Sequence, residues 1–260
     1  MPLYTDQLNH IVQVAGPPRR IVSLVPSQTE LLYDLGLGDR IAGVTKFCVH
    51  PREMHFSKTR IGGTKSIKMD IVHQLQPDLI IANKEENEKE QVEELRRHYP
   101  VWTSDINNLD DAYQMMAAIG DITGTAPEAA QITGTIQYGF AQLQPVQPPR
   151  RTAYLIWQKP FMTIGGDTFI NDMLQRCGFI NIFAGRTRYP EISAEDLQAA
   201  QCELLLLSSE PFPFKEKHIQ EWEQALPGTK VLLADGEMFS WYGSRLLLAP
   251  EYFRQLQENM

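Results

Sequence analysis

A short apolar run, a polar break and then an amphipathic helix make up the feature that most constrains this chain. It appears first at Arg20–Gly36, RIVSLVPSQTELLYDLG. Ile21, Val22, Leu24 and Val25 supply the β-rich run, and Pro26 ends it. Leu31, Leu32 and Leu35 then fall on one helical side, with Gly36 as the stop. This is the first half of a βα unit. Ser27 or Thr29 is expected to cap the helix by accepting a bond from a free backbone N–H. In an open α/β sheet the loop leaving the carboxyl end of a strand faces the ligand crevice. Residues 26–29 are therefore the first candidates for a binding surface.

The same alternation recurs along the chain. Before it, residues 8–14 read as an edge strand or hairpin. After it, strands are expected at 41–45, 61–65, 79–82 and from 101, and helices at 69–75, from the acidic stretch after Asn83 to about His98, and at 109–123. Crossovers this short imply a parallel or mostly parallel sheet. A helix from about 125 to 143, ending before Pro145, Pro148 and Pro149, reads as a connector. Gly134 and Gly139 weaken its pattern. Strands at 152–157, around 179–183, 204–207 and 230–234 follow, with helices at 167–177, 193–198, 214–226 and 243–257. The expectation is an α/β chain of two Rossmann-like βα lobes joined by a long connecting helix, with a ligand cleft between the lobes. Its divisions are an N-terminal lobe at 1–123, the connector at 124–149 and a C-terminal lobe at 150–260.

Bulk composition excludes several classes. The 260 residues carry a net charge of −8, the wrong sign for a phosphate backbone, so no nucleic-acid partner is expected. Three well-separated cysteines, Cys48, Cys177 and Cys202, give neither a disulfide framework nor zinc spacing. No run reaches the roughly 18 apolar residues of a membrane-spanning helix. The first twenty residues lack a charged n-region and an apolar h-region. As written, the chain is expected in the cytoplasm, or in the periplasm or at the cell surface if a leader has been removed. A monomer is expected.

Chemistry-bearing residues concentrate in the loops at the strand ends. The first half offers Phe47, Cys48, His50, Lys65, Asn83, Lys84 and Glu85. The second offers Trp157, Lys159, Phe161, Tyr189, Glu210, Phe212, Trp241, Tyr242 and Arg245. Aromatics beside prolines in loops cost solvation unless something covers them. Trp, Tyr and Arg gathered at Gly243 form a combination typical of recognition surfaces. Arg245 can pair bidentately with a carboxylate or phosphate. Gly62-Gly63 is neither a P-loop nor a dinucleotide fingerprint and reads as a plain turn; Gly165-Gly166 reads as a turn and cap. Cys48 with His50 is thin support for a metal. Ser208-Ser209-Glu210 lacks the glycines of a nucleophile elbow. No catalytic set, metal site or cofactor is expected.

These residues carry a family resemblance. RIVSLVPSQTELLYDLG, IAGVTKFCVHP, IGGTKSIKMDIVHQLQPDLIIAN and NIFAGRTRYPEISAEDL together resemble the cluster A-III, helical-backbone substrate-binding proteins of ABC importers, most of all their cobalamin-receptor branch. The resemblance covers nearly the whole chain. It implies a non-catalytic receptor for a corrinoid, haem or iron–siderophore-type metal chelate, held in an aromatic-lined cleft. Phe47 and Tyr189 fall at matching aromatic positions, whereas Thr64 and Asn83 stand where the cobalamin receptor has tryptophans. The resemblance also implies that Asp70 and Glu195 face an ABC permease. Two other readings stay open. One is an intracellular tetrapyrrole- or metal-handling enzyme or chaperone using Cys48, His50, Glu85 and Glu210; the other is a sensor or scaffold that kept the fold and lost the ligand.

Overall fold

Strands that are apolar on both faces need cover above and below, and the intervening helices supply it. In the computed structural model, which describes residues 2–260, the chain divides into two compact units. One comprises the chain up to Ile106 with Asp110–Thr135 and Tyr242–Arg245. The other comprises Asn107–Leu109, Ile136–Trp241 and Leu246–Met260.

In the first unit β1 (Leu3–Thr5) and β2 (Ile11–Gln13) form an antiparallel hairpin, and β3 (Ile21–Ser23) leads into α1 (Pro26–Leu32). β4 (Ile41–Val44), α2 (Arg52–Ser57), β5 (Thr59–Arg60) and a small hairpin of β6 (Gly62–Gly63) and β7 (Ser66–Ile67) follow. Then come α3 (Met69–Leu75), β8 (Leu79–Asn83), α4 (Lys89–Arg96), β9 (Val101–Ser104) and α5 (Leu109–Thr123). The main sheet is wholly parallel with order β5-β4-β3-β8-β9. Ile21, Val22, Ile80 and Ile81 are fully buried within it. Each such side chain contributes about 1.5–3 kcal/mol on leaving water. The buried Asp6 carboxylate ties the N-terminal hairpin to this sheet. It accepts from the N–H groups of Leu8, His10 and Thr103 and lies 3.4 Å from the Arg96 guanidinium.

α6 (Ala126–Gln142) runs unbroken through both glycines. Gly139 lies against Pro250, where a Cβ would come 3.1 Å from the ring, so a small residue fits that contact. In the second unit β10 (Arg150–Leu155), α7 (Phe169–Arg176), β11 (Phe179–Asn181), α8 (Ala194–Ala199), β12 (Leu204–Ser208), α9 (Glu216–Ala225), β13 (Lys230–Ala234), α10 (Gly236–Ser240) and α11 (Ala249–Glu258) follow in turn. Their sheet is also wholly parallel, with order β11-β10-β12-β13. Leu205 and Leu207 of β12 pack with Trp222, Phe214 and Leu197 in its core. Ser193 caps α8 reciprocally with Asp196, as its position before the apolar stripe predicts.

Three local expectations need correction. Val25, not Ser27 or Thr29, is the N-cap of α1, with no side-chain cap bond. Pro26 takes the first helical position, where its missing N–H costs nothing, and Ser27 is thereby drawn inside the helix. α2, with Pro51 as its N-cap, is a short helix in a stretch where the sequence reading placed no element. The last helix begins at Ala249, with Pro250 in its first turn, rather than at Gly243. Residues Ser244–Leu247 form only a short 3₁₀ turn.

Gly62 has φ of +105°, and a Cβ there would lie 2.2 Å from the Ser66 carbonyl oxygen. Gly62→Ala is expected to destabilise the protein by about 1–3 kcal/mol. Urea unfolding followed by circular dichroism would show this as a lowered midpoint; an unchanged midpoint would contradict the assignment.

Candidate functional site

In each sheet the strand order reverses direction once. The first sheet runs from β3 outward to β4 and β5 and then returns to β8 on the other side. The second runs from β10 to β11 and returns to β12. In open α/β sheets, ligands bind outside the carboxyl ends of the strands at such a switch. In the first unit these loops follow β3 and β8; in the second they follow β10 and β12. The candidate ligand-facing loops are therefore residues 24–29 and 84–88 in one unit, and 156–168 and 209–215 in the other.

Buried side-chain amides fix the first crevice. Asn83, the last residue of β8, donates to the Ser104 hydroxyl at 3.0 Å, while its Oδ1 accepts from the N–H groups of Glu85 and Glu86 at 2.8 and 2.9 Å. The Asn87 Oδ1 accepts from the Asn83 N–H at 2.9 Å, and its Nδ2 donates to the carbonyls of Leu24 and Thr64. Gln28 Nε2 donates to the same Ser104 hydroxyl. Asn83 thus spends its side chain organising the loop. Lys65 donates to the Glu85 carbonyl at 2.9 Å and lies 3.4 Å from Glu88, and Lys84 lies 2.6 Å from Asp105. Phe47 remains 49% exposed on the loop after β4, with the Lys46 ammonium 4.8 Å from its ring centre. Its neighbour Cys48 faces inward, fully buried, its Sγ 3.2 Å from the hydroxyls of both Thr29 and Thr45. Burial pushes that thiol up, which makes it a packing group rather than a ready ligand. His50 is half-buried two residues on. Among the described residues no group of three or more His, Cys, Asp or Glu could hold a metal ion.

A segment from late in the chain completes this wall. The sequence groups Tyr242 and Arg245 with the second half, but they pack in the first unit. The Tyr242 hydroxyl donates to Glu86 at 2.8 Å. Arg245 grips Glu30 of α1 with two bonds, Nε to Oε2 at 2.9 Å and Nη2 to Oε1 at 2.6 Å. A Cβ on Gly243 would lie 2.9 Å from the Ser27 carbonyl, so the strap rests directly on the α1 backbone. The carboxylate that Arg245 selects is therefore the chain's own. Glu30 is pushed up by burial, and the attraction of Arg245 offsets this only in part.

The second crevice is aromatic. Trp157 follows β10 and is 39% exposed. It meets Phe212 edge-on with ring centres 5.9 Å apart, and Phe212 meets Phe214 at 4.7 Å. The Phe212 N–H donates to the Ile156 carbonyl, which fastens the β12 loop to the β10 loop. Phe161 is half-buried and stacks on Trp222 at 4.8 Å, and Lys159 is exposed beside it. Tyr189 is half-buried on the loop after β11, with the Arg188 guanidinium 5.6 Å from its ring centre. Gly165 and Gly166 are more than a turn and cap. A Cβ on either would come within 2.4 and 2.3 Å of the Arg186 and Ala184 carbonyls, so the two loops pack backbone to backbone. Glu210 is mostly buried; its Oε1 accepts from the Ser240 hydroxyl at 2.8 Å and from the Trp241 indole N–H at 3.0 Å. Burial raises its pKa, and Trp241 itself is 7% exposed.

The sequence missed Glu30 as the partner of Arg245. Glu86, Asn87 and Ser240 lie in the strand-end stretches 83–87 and 239–245, which are legible as candidate loops, but their partners are not. Two measurements test the contacts. Arg245→Ala leaves the part-buried Glu30 without its two-bonded partner and is expected to cost about 1–3 kcal/mol, whereas replacing both by Leu and Met recovers much of it. Chemical denaturation of the three variants measures both, and a cost below about 1 kcal/mol for Arg245→Ala would place the pair at the level of a surface bridge. Glu210 is an acid whose folded-state pKa is raised, so it binds protons more tightly folded than unfolded. Its contribution to stability is lost as pH rises through and above its ordinary value of 4.5. Glu210→Gln keeps an acceptor for Ser240 and Trp241. Its melting temperature should exceed that of the natural protein at pH 8, with the gap closing toward pH 4. A gap that widens on acidification would refute the assignment.

Comparison with known proteins agrees with this layout. Residues 21–227 match the periplasmic binding protein family. The vitamin B12-binding protein of Vibrio campbellii is 27% identical over 220 residues, 82% of this chain and 78% of the relative. Among solved structures, a siderophore binding protein bound to two molecules of acinetobactin and ferric iron superimposes with a TM-score of 0.82, at 18% identity and with 98% of each chain covered. The periplasmic heme binding protein of Vibrio cholerae superimposes with a TM-score of 0.78 at 19% identity, covering 92% of this chain and 98% of that one. No helix among the described residues is long and apolar enough to cross a membrane. With parallel sheets, strand-end crevices and a family match across most of its length, the chain belongs to the periplasmic binding protein family.

Proposed function

We propose that this protein is the non-catalytic receptor of an ABC importer for a bulky metal chelate of the corrinoid, haem or iron–siderophore kind. The observation that carries the ligand class is the aromatic shelf of Trp157 and Phe212 at the switch point of the second sheet, with more than a third of Trp157 left open to solvent. Flat, rigid aromatic faces suit a large conjugated or apolar guest, and each good ring contact contributes about 0.5–1.5 kcal/mol beyond its area. Phe47 on the first unit offers a second open ring. The vitamin B12-binding relative supports the corrinoid end of this range, and the haem and siderophore proteins of the same fold support its breadth.

Delivery to a permease belongs to the same reading, as does a periplasmic or cell-surface location. Asp70 and Glu195 are exposed acids in the first turns of α3 and α8. Bonds to Glu195 from its own backbone N–H and from Ser193 hold its carboxyl below the ordinary range, so it stays charged. Such acids are suited to meeting basic groups on a partner surface.

Titration with cyanocobalamin, dicyanocobinamide, haemin and a ferric trihydroxamate, read by tryptophan quenching and visible spectra, tests the receptor assignment. Saturable micromolar or tighter binding of at least one guest is expected. Trp157→Ala and Phe212→Ala should each weaken it about tenfold, or ~1.4 kcal/mol; no binding by any guest would reject the class. Charge reversal at Asp70 and Glu195 should lower uptake by the cognate permease in proteoliposomes while leaving the ligand Kd unchanged. Unaltered uptake would remove those residues from docking.

A further inference from the structure

Residues 46–68 are the basic part of an acidic chain. The stretch holds six lysines and arginines against one acid, Glu53, while the whole chain has a net charge of −8. It runs from the loop after β4 through α2, β5 and the β6–β7 hairpin to the residue before α3, all within the first unit. Its backbone is tied together at the β5 end of the first sheet. The Lys46 N–H donates to the Gly62 carbonyl at 2.8 Å, the Ile61 N–H to Val44 at 3.0 Å and the Lys68 N–H to Ile61 at 2.8 Å. The Arg60 guanidinium donates to the His55 carbonyl at 2.9 Å, which holds β5 to α2.

Most of these cations have no acid of their own. Lys65 has Glu88 at 3.4 Å, and Lys46 lies over the Phe47 ring. Among the described residues Arg52, Lys58, Arg60 and Lys68 form no ion pair with an acid of this chain. Lys58 is half-buried and the other three are exposed. Glu53 and Asp70, exposed in the first turns of α2 and α3, are the acids nearest to them along the chain and leave cations in excess.

α2 adds apolar surface to this charge. It buries Met54 and leaves Phe56 69% exposed, and Val49 just before it is 40% exposed. The Phe56 ring meets His55 edge-on at 5.2 Å and has the Arg52 guanidinium 5.8 Å from its centre. Open rings and aliphatic groups beside unpaired cations are the composition that seats at the boundary between lipid headgroups and acyl chains. The cations are spread over α2, β5 and the approach to α3, with no common fork. A fluid layer of anionic headgroups needs positive charge and no fixed register, whereas a protein carboxylate is read by a shaped, bidentate pair.

We propose that this surface docks on an anionic lipid bilayer. Phe56 and Val49 enter the headgroup boundary, and Arg52, Arg60 and Lys68 attract the headgroups. The acidic remainder of the chain is repelled by the same bilayer, so binding is oriented. Lys68 stands two residues before Asp70, so the start of α3 is carried to the membrane with it. This contact goes beyond the receptor reading and needs no bound chelate.

Co-sedimentation of the full chain with vesicles, without any chelate, tests it. Vesicles containing about one third phosphatidylglycerol are expected to bind the protein at least tenfold more strongly than vesicles of phosphatidylcholine alone at low salt. Physiological salt should remove most of that preference. Phe56→Ser, and separately the double variant Arg52→Gln with Lys68→Gln, should each lower the partition coefficient about tenfold while keeping the natural melting temperature. Equal binding to both vesicle types, or variants that partition like the natural protein, would overturn the proposal. Binding confined to vesicles that carry the cognate permease, and lost in Phe56→Ser, would also overturn it and assign the surface to a protein contact. Because no chelate is present, none of these outcomes bears on the receptor reading.

Discussion

Parallel pairing of β3 with β8, through Ile21 with Leu79 and Ser23 with Ile81, puts the switch point of the first sheet between these two strands. Parallel strands all end at one edge, so every loop that follows a strand gathers there. Because the chain leaves β3 in one direction and comes back on the other side, the β3 and β8 loops flank the switch point of that edge. The same device recurs in the second unit between β10 and β12. Topology thus names the candidate loops before any side chain is considered.

The two crevices are stabilised differently. The first is held by the buried amides of Asn83 and Asn87, which satisfy loop backbone groups, and of Gln28, which donates to the Ser104 hydroxyl. Unmade bonds of this kind cost about 1–3 kcal/mol each in a dry interior, so the loop is rigid because its alternatives are expensive. The Tyr242–Arg245 strap adds a part-buried ion pair to that wall. The second crevice is held by rings in edge contact and by glycines that let the β10 and β11 loops touch through their backbones. The first wall is thus mainly polar and the second mainly aromatic.

Much of this is legible in the residue pattern. Strands such as Leu79–Asn83 and Leu204–Ser208 are fully buried runs that announce themselves, and Ser193 three residues before Asp196 is a local signal for a helix start. The aromatic shelf is visible as tryptophan and phenylalanine beside prolines in predicted loops. Other features are not local and leave no such mark. Arg245 and Glu30 are 215 residues apart, and nothing near either tells which acid the arginine will choose. Cys48 and Asn83 look like ligand groups because loop position is readable while side-chain direction is not; both face inward. Ser27 looks like a cap, and the preceding proline moves the helix start past it.

The central claim is that the ligand meets the loops at the two topological switch points. Amide hydrogen exchange with and without dicyanocobinamide or another bound guest measures this most directly. The account predicts that binding slows exchange by about tenfold or more in residues 84–88, 156–162, 209–214 and 242–245. Peptides at the amino ends of the strands, such as residues 16–20 and 145–150, should stay unchanged. Protection confined to those amino-end segments, or absent from the switch-point loops despite saturating ligand, would contradict it.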